Sequence, residues 1–301
     1  MFPFARLREL ASAAGLDAVG VSRAVPVTEG QAHYLEWLAK GYHGEMHYLE
    51  RNLEKRFDPT LLVPGAQSIV SVLLSYKFEG EGVWSVEPKV SRYAILRDYH
   101  NILKERLYHL LELLRTTCGN VHGRAFVDSA PFLDRYWAMR SGLGWIGQHS
   151  LLISPQLGSF TFIGALVVDI DLEATEVSVR NRCGNCNRCV EACPTGALIG
   201  RGQMDARKCI AYLTIEKKSP FTEEEQASLS GWAYGCDICQ EVCPWNQRAA
   251  RTRLANEVIV SRSLLNDFAV GIRSLPSESP MTRASVARLR ALLVDKKSSD
   301  A

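Results

Sequence analysis

Eight of the nine cysteines in this 301-residue chain fall between Cys183 and Cys243, and two of their groups end in Cys-Pro. The first group reads Cys183-Gly-Asn-Cys186-Asn-Arg-Cys189-Val-Glu-Ala-Cys193-Pro194, a C-x2-C-x2-C-x3-C-P run. Where that run binds iron–sulfur clusters in pairs, its fourth cysteine ligates the other cluster. The second group, Cys236-Asp-Ile-Cys239-Gln-Glu-Val-Cys243-Pro244, keeps the last three cysteines of such a run, and Cys209 can supply the missing thiolate. The crossing rule gives one 4Fe–4S cluster to Cys183, Cys186, Cys189 and Cys243. The other takes Cys193, Cys209, Cys236 and Cys239. A chain built this way moves electrons.

Clustered cysteines can also hold structural zinc or form disulfides. Disulfides belong to oxidising compartments, and Met1-Phe2-Pro3-Phe4-Ala5-Arg6 leads into an amphipathic helix with no apolar signal core. The expectation is a cytoplasmic chain. Zinc sites favour two separated Cys-x2-Cys pairs, or Cys with His, whereas a third thiolate and a Cys-Pro finish favour iron–sulfur. Cys118 stands apart at the end of a helical pattern and reads as a small buried hydrophobe.

No stretch approaches the ~18 uninterrupted apolar residues that cross a bilayer, so no membrane partner is expected. The formal net charge of +2 hides an asymmetry: from Trp245 onward ten Lys or Arg face five Asp or Glu. A basic C-terminal segment suits a phosphate-rich partner, although alone it is more often a solvated face.

Helix and strand signals alternate through the first half. Phe4 to Ala14 and Thr28 to Lys40 read as helices, and Tyr99 to Thr117 as the longest one, its Ile102, Leu103, Leu107, Leu110, Leu111 and Leu114 forming a stripe. Ala18 to Val21, Ser68 to Ser75 and Val121 to Val127 read as strands, followed by a helix from Ala130 to Arg140. Leu151 to Ser154 and Phe160 to Val168 suggest a hairpin around Pro155 to Ser159. The fold class is therefore α/β (α+β), with a small ferredoxin-like two-cluster module. The expected units are 1–175 for an α/β cofactor and substrate domain, 176–250 for the cluster module, and 251–301 for a basic segment. That last segment holds one helix, from Thr282 to Leu293, and a frayed tail.

Gly142-Leu-Gly144-Trp-Ile-Gly147 matches the dinucleotide fingerprint G-x-G-x-x-G, but a helix pattern precedes it and a strand pattern follows. The fingerprint needs the reverse order. These glycines read instead as sites of close packing or of backbone approach to a large ligand. His43-Gly-Glu-Met-His47 lacks the spacing of a zinc-protease motif and reads as loop or surface. Asp128, at the end of a strand, either faces a ligand or caps the helix starting near Pro131. Asp134 reads as a surface or salt-bridged residue.

Taken together, several motifs resemble one family. They are Gly41-Tyr-His-Gly-Glu-Met46, Lys55-Arg56, Arg97-Asp-Tyr-His100, Val127-Asp128-Ser and Arg140-Ser-Gly-Leu-Gly-Trp-Ile-Gly147. Asp205-Ala-Arg-Lys-Cys209 through Glu216 and Tyr234-Gly-Cys236 through Asn246 complete the set. From about residue 5 to 250 the chain is similar to the epoxyqueuosine reductases. The resemblance implies an N-terminal cobalamin-binding domain like that of reductive dehalogenases. It also implies reduction of epoxyqueuosine to queuosine at the wobble position of tRNAs with GUN anticodons, and Asp128 as proton donor. To donate at neutral pH, Asp128 needs burial or cofactor contact that favours its neutral form. For cobalamin contacts the family points to Arg56, Ser91, Arg92, Gln148, His149, Ser150, Leu152 and Ala211.

Two departures from the family bear on those contacts. Many relatives have Lys-Asn at Gln148-His149 and a small hydroxyl residue at Ala211. The signature Asp-x-His-x-x-Gly is missing, since Leu103 follows Asp98-Tyr-His100 where its glycine would stand. The corrinoid is thus expected without that type of histidine ligand. The helical-repeat extension of some members is not seen, which shifts the expected RNA grip to the cluster module and the basic segment from Arg248. An external electron donor and a monomeric state complete the picture. The rival readings are an iron–sulfur electron-transfer protein and a reductive dehalogenase-like corrinoid enzyme.

Overall fold

In the computed structural model, residues 1–175 and 179–294 are described. Residues 176–178 of the expected domain join and the tail from 295 lie outside them.

The first layer is a four-stranded antiparallel sheet in the order β1 (Ala18–Arg23), β2 (Ser68–Ser75), β7 (Thr161–Val168), β4 (Gly123–Phe126). All eight residues of β2 are buried, because this central strand is covered on both faces. Side chains alternate across a strand. Val70, Val72 and Leu74 accordingly join the larger core with α1 (Phe4–Ala13) and α4 (Tyr99–Cys118). Ile69 faces the other way, into a core with Trp137 of α5 (Asp134–Arg140). The predicted leucine stripe of α4 is buried as a row, and the Asp98 side chain caps that helix by accepting from the His100 N–H at 3.0 Å.

Two short helices, α2 (Gln31–Ala39) and α3 (Leu53–Phe57), lie in the β1–β2 connection. The expected hairpin into β7 does not form. Instead β6 (Leu152–Ile153) pairs with β5 (Trp145–Ile146), and β7 runs between β2 and β4. The helix expected from Ala130 starts only at Asp134. Cys118 is exposed rather than buried, because it follows the last core leucine at the end of α4.

In the cysteine-rich part, α6 (Arg188–Ala192) packs on α9 (Ile238–Glu241), beside the hairpin β8 (Leu198–Gly200) and β9 (Gln203–Met204). Two further helices, α7 (Ile210–Ile215) and α8 (Glu223–Ser228), separate the cysteine groups, the second closed by a Thr222–Glu225 capping box. After Cys243 comes α10 (Pro244–Gln247). A parallel pair, β3 (Lys89–Val90) with β10 (Trp232–Tyr234), joins this part to the first layer.

The C-terminal segment carries α11 (Arg262–Ala269), which periodicity had not suggested, and α12 (Val286–Leu293), shorter than expected because Pro280–Arg283 forms a separate 3-10 turn. Leu254, Phe268, Met281 and Leu289 belong to the same core as Leu7 and Val72. Among the described residues, no helix is long and apolar enough to cross a membrane.

Candidate active site

The eight clustered thiols are all free and fall into two groups. Cys183, Cys186, Cys189 and Cys243 line one cavity of about 330 Å³. Cys243 stands at the N-cap of α10 with Pro244 at its first position, where a missing N–H costs nothing. The Trp145 indole N–H donates toward Cys183 Sγ at 3.5 Å. In the second group Cys209 stands at the N-cap of α7 and Cys239 on α9, with Cys209 and Cys193 as charge neighbours of Cys236. Burial pushes the Cys236 thiol up to about 12 and Cys189 to about 11, and also raises Cys239 well above the ordinary thiol range. Cys193 moves down: against burial, the Thr195 hydroxyl and nearby backbone N–H groups favour its thiolate. Mutually repelling, desolvated thiolates need a strongly positive partner among them. This donor set therefore fits two four-thiolate iron–sulfur clusters.

Asp128 follows the end of β4 in a left-handed backbone conformation, φ 48°. The helix-cap alternative fails, because the N-cap of α5 is Leu133. Asp128 is exposed, and its Oδ2 accepts from the Tyr99 hydroxyl at 2.7 Å. The Tyr99 ring is stacked on Phe162 (centroids 4.7 Å apart), and burial with the adjacent Asp128 holds its hydroxyl protonated.

Asp134 is not the surface or salt-bridged residue expected. Its Oδ1 is out of solvent with no hydrogen-bond partner, and burial, reinforced by Asp128, pushes its carboxyl up to about 7. Glu216, just past α7, is also raised by burial and by Asp128. On another side, Asp98 lies 2.7 Å from His100 Nδ1, and Arg283 reaches 3.4 Å from Asp98 Oδ2.

The remaining candidates divide. Arg56 is 6 % exposed, with one guanidinium nitrogen 3.5 Å from the Tyr48 carbonyl and Nε without a partner. His149 is 2 % exposed; its Nδ1 accepts from the Leu151 N–H at 3.2 Å, which leaves the proton on Nε2, also without a partner. Burial pushes this imidazole down to about 4, so it is a neutral donor. Orphaned buried donors on Arg56, Arg92 and His149 fit a large polar ligand better than an apolar void, and His149, with Gln148, also lines the cavity of the first cysteine group. Gln148 accepts from the Arg201 N–H, while Ser150, at φ 62°, has its carbonyl held by Arg135. Leu152 is buried in β6, and Ala211 lies in the first turn of α7. Ser91 is buried against Gly235. Arg92 pairs through one terminal nitrogen with Asp237 at 3.2 Å and Glu241 at 2.7 Å, over the rings of Trp84 and Phe160, while its Nε is buried without a partner.

The glycine motif serves close packing. A Cβ on Gly144 would stand 2.1 Å from the Ile153 carbonyl oxygen. His43 is buried rather than on the surface, with Nε2 2.7 Å from Glu50 Oε1 and the His47 ring beside it. A larger cavity of about 720 Å³, between residues 81–88 and the C-terminal helices, contains none of the candidate residues.

Tyr99, Glu216 and Arg283 escaped assignment from the sequence. The first lies inside a quoted motif and the second at the edge of one. Arg283 carried no local signal.

Residues 182–246 match the family described as "4Fe-4S double cluster binding domain", and residues 56–129 match "Epoxyqueuosine reductase QueG, DUF1730". The epoxyqueuosine reductase of Cyclobacterium marinum is 42% identical over 242 residues, covering 80% of this chain and 78% of its own. A crystal structure of epoxyqueuosine reductase with an epoxyqueuosine-modified tRNA-Tyr stem loop is similar at a TM-score of 0.81 and 28% identity, covering 96% of this chain and 80% of that one. A reductive dehalogenase shares the fold at 14% identity and a TM-score of 0.50, over 88% of this chain and 36% of that one.

Proposed function

The chain belongs to the epoxyqueuosine reductase family, and we propose that it reduces the epoxide of epoxyqueuosine at the wobble position of tRNA to give queuosine. Cobalamin and the two 4Fe–4S clusters are its cofactors in this reading. The net change adds two electrons and two protons, removes the epoxide oxygen as water and leaves a carbon–carbon double bond. When bound, cobalamin supplies a reduced cobalt nucleophile, and the clusters supply single electrons.

The residues of the chain supply placement and protons. Asp128 donates to the departing oxygen. Tyr99 fixes that carboxyl by its hydrogen bond and cannot itself ionise near neutrality. Arg56 Nε and His149 Nε2–H are the donors that would hold the amides or phosphate of the corrinoid. Ser91, Gln148, Ser150, Leu152 and Ala211 would approach it through backbone or short side chains. Arg92 ties the loop carrying Cys236 and Cys239 to this site by donating to Asp237 from its backbone N–H and guanidinium, and its unpartnered Nε is a further donor toward the corrinoid.

One observation carries the reading. Helix α7 has Cys209 at its N-cap and Glu216, the neighbour of Asp128, at its C-cap. Six helical residues rise only ~9 Å. A cysteine of the second group and the neighbour of the proton donor thus lie at opposite ends of one short helix, which supports electron delivery and proton donation at one site.

The test is anaerobic incubation of reconstituted protein with cobalamin, a reductant and tRNA carrying epoxyqueuosine. Nucleoside mass spectrometry should show the loss of one oxygen atom, dependent on cobalamin. Intact clusters and bound cobalamin without conversion would favour an electron-transfer role.

A further inference from the structure

The cavity lined by Cys183, Cys186, Cys189 and Cys243 opens on a face of one charge. Arg182, Arg188 and Arg248 line it, all three are exposed, and no Asp or Glu is among its lining residues. Among the described residues none of the three has an ion-pair partner, in contrast to Arg92 and Arg97, whose guanidinium groups are each held by two carboxylates. Arg182 lies 6.0 Å over the Trp245 ring. Trp245 meets Trp145 edge-on at 4.8 Å, and Trp145 donates to Cys183 Sγ. A continuous aromatic contact therefore runs from the basic rim to a thiol of the first group.

We propose that this face is the docking site of a small acidic one-electron carrier protein of the flavodoxin class, which delivers electrons to the cluster held by these four cysteines. The proposal rests on the cluster reading given above. Three unpaired like charges around one opening repel each other, and an anionic partner relieves that repulsion while speeding its own encounter. Redox encounters of this kind are small and weakly bound, so a rim of three arginines is an adequate footprint. In each encounter a flavin hydroquinone loses one electron to become the semiquinone, and the oxidised cluster gains it. Two encounters supply the two electrons that epoxide reduction consumes. An RNA strand is the other polyanion that could sit here. Its reacting base must reach Asp128, however, and neither Asp128 nor its neighbours Tyr99, Glu216 and Arg283 line this cavity.

The experiment uses the full chain with reconstituted clusters and flavodoxin hydroquinone as probe. Stopped-flow absorbance gives the second-order rate of cluster reduction at rising salt. R182E/R188E should lower that rate about tenfold or more at low ionic strength and flatten its salt dependence, while R182K/R188K should keep the wild-type rate. Iron content, reduction by photoreduced deazaflavin and affinity for an anticodon stem loop should match wild type in both variants. Binding of oxidised flavodoxin, which needs no turnover, should weaken in parallel in R182E/R188E. Equal flavodoxin rates in wild type and R182E/R188E would overturn the proposal. So would a loss confined to stem-loop affinity, which would give the face to RNA. A wild-type chain that takes up no iron would overturn the cluster reading, and this proposal with it.

Discussion

The Tyr99 hydroxyl donates to Asp128 Oδ2 across 2.7 Å, joining the first turn of the longest helix to a left-handed residue beyond the edge strand. Among the described residues, no helix cap or salt bridge otherwise holds this carboxyl, so the bond orients it. Asp128→Asn keeps the shape and removes the acid, so conversion of epoxyqueuosine should fall by at least ~100-fold with both clusters retained. Tyr99→Phe loses only the orienting bond and should cost about tenfold, near ~1.4 kcal/mol. Nucleoside mass spectrometry under single-turnover conditions separates the two.

Asp134 makes a prediction about pH. Its folded-state carboxyl is raised to about 7 from the ordinary 3.8, by burial and then by Asp128. A raised carboxyl binds its proton more tightly in the folded chain than in the unfolded one. Stability therefore falls as pH rises from about 4 to about 7, and the loss is complete above that window. Asp134→Asn removes this dependence. Thermal denaturation should show the variant more stable than wild type at pH 8, by ~2 to 4 kcal/mol, and no such gain at pH 4. A wild-type curve flat between those pH values would contradict the assignment.

The crossing of the cysteine groups can be read chemically. Cys243 lies near Cys183 and Cys186 although Cys239 precedes it by four residues, and Cys193 lies near Cys209 and Cys236. Cys243→Ala should destabilise the cluster of the first cavity and spare the other, so iron per chain drops by about half. Cys193→Ala should do the converse. If either variant perturbs the other cluster's spectrum in its place, the grouping is wrong.

Arg92 and Asp237 form a buried pair, with Asp237 1 % exposed. Burial raises the Asp237 carboxyl to about 6 even with the guanidinium beside it. Removing the arginine alone leaves an uncompensated carboxylate, so Arg92→Leu should cost ~3 to 5 kcal/mol. Calorimetry on the cluster-loaded chain measures it, and Arg92→Leu with Asp237→Leu should recover part of the loss.

What was readable in the chain follows from how local each signal is. Ligand spacing in Cys183 to Cys193 and the leucine row of α4 depend on neighbours within a few turns, and both elements formed. The hairpin expected around Pro155 to Ser159 failed because the local turn exists, as a Ser154–Gly158 bridge, but β7 pairs with the distant β2 instead. The burial of Asp134 depends on what packs over the start of α5, and no periodicity in seven residues reveals that. Arg283 reaches Asp98 and His100 only because the C-terminal segment folds back into the main core.

The short parallel pair of β3 and β10 has a further meaning. The Ser91 N–H donates to the Tyr234 carbonyl at 2.9 Å, and the Lys89 N–H to the Gly231 carbonyl at 2.7 Å. Tyr234 stands two residues before Cys236, so backbone bonds rather than a tether position one cysteine group against the first layer. The cysteine-rich part is not an exchangeable cassette. A chimera that imports it must carry Lys89 to Arg92 as well, or the two halves will lose their common register.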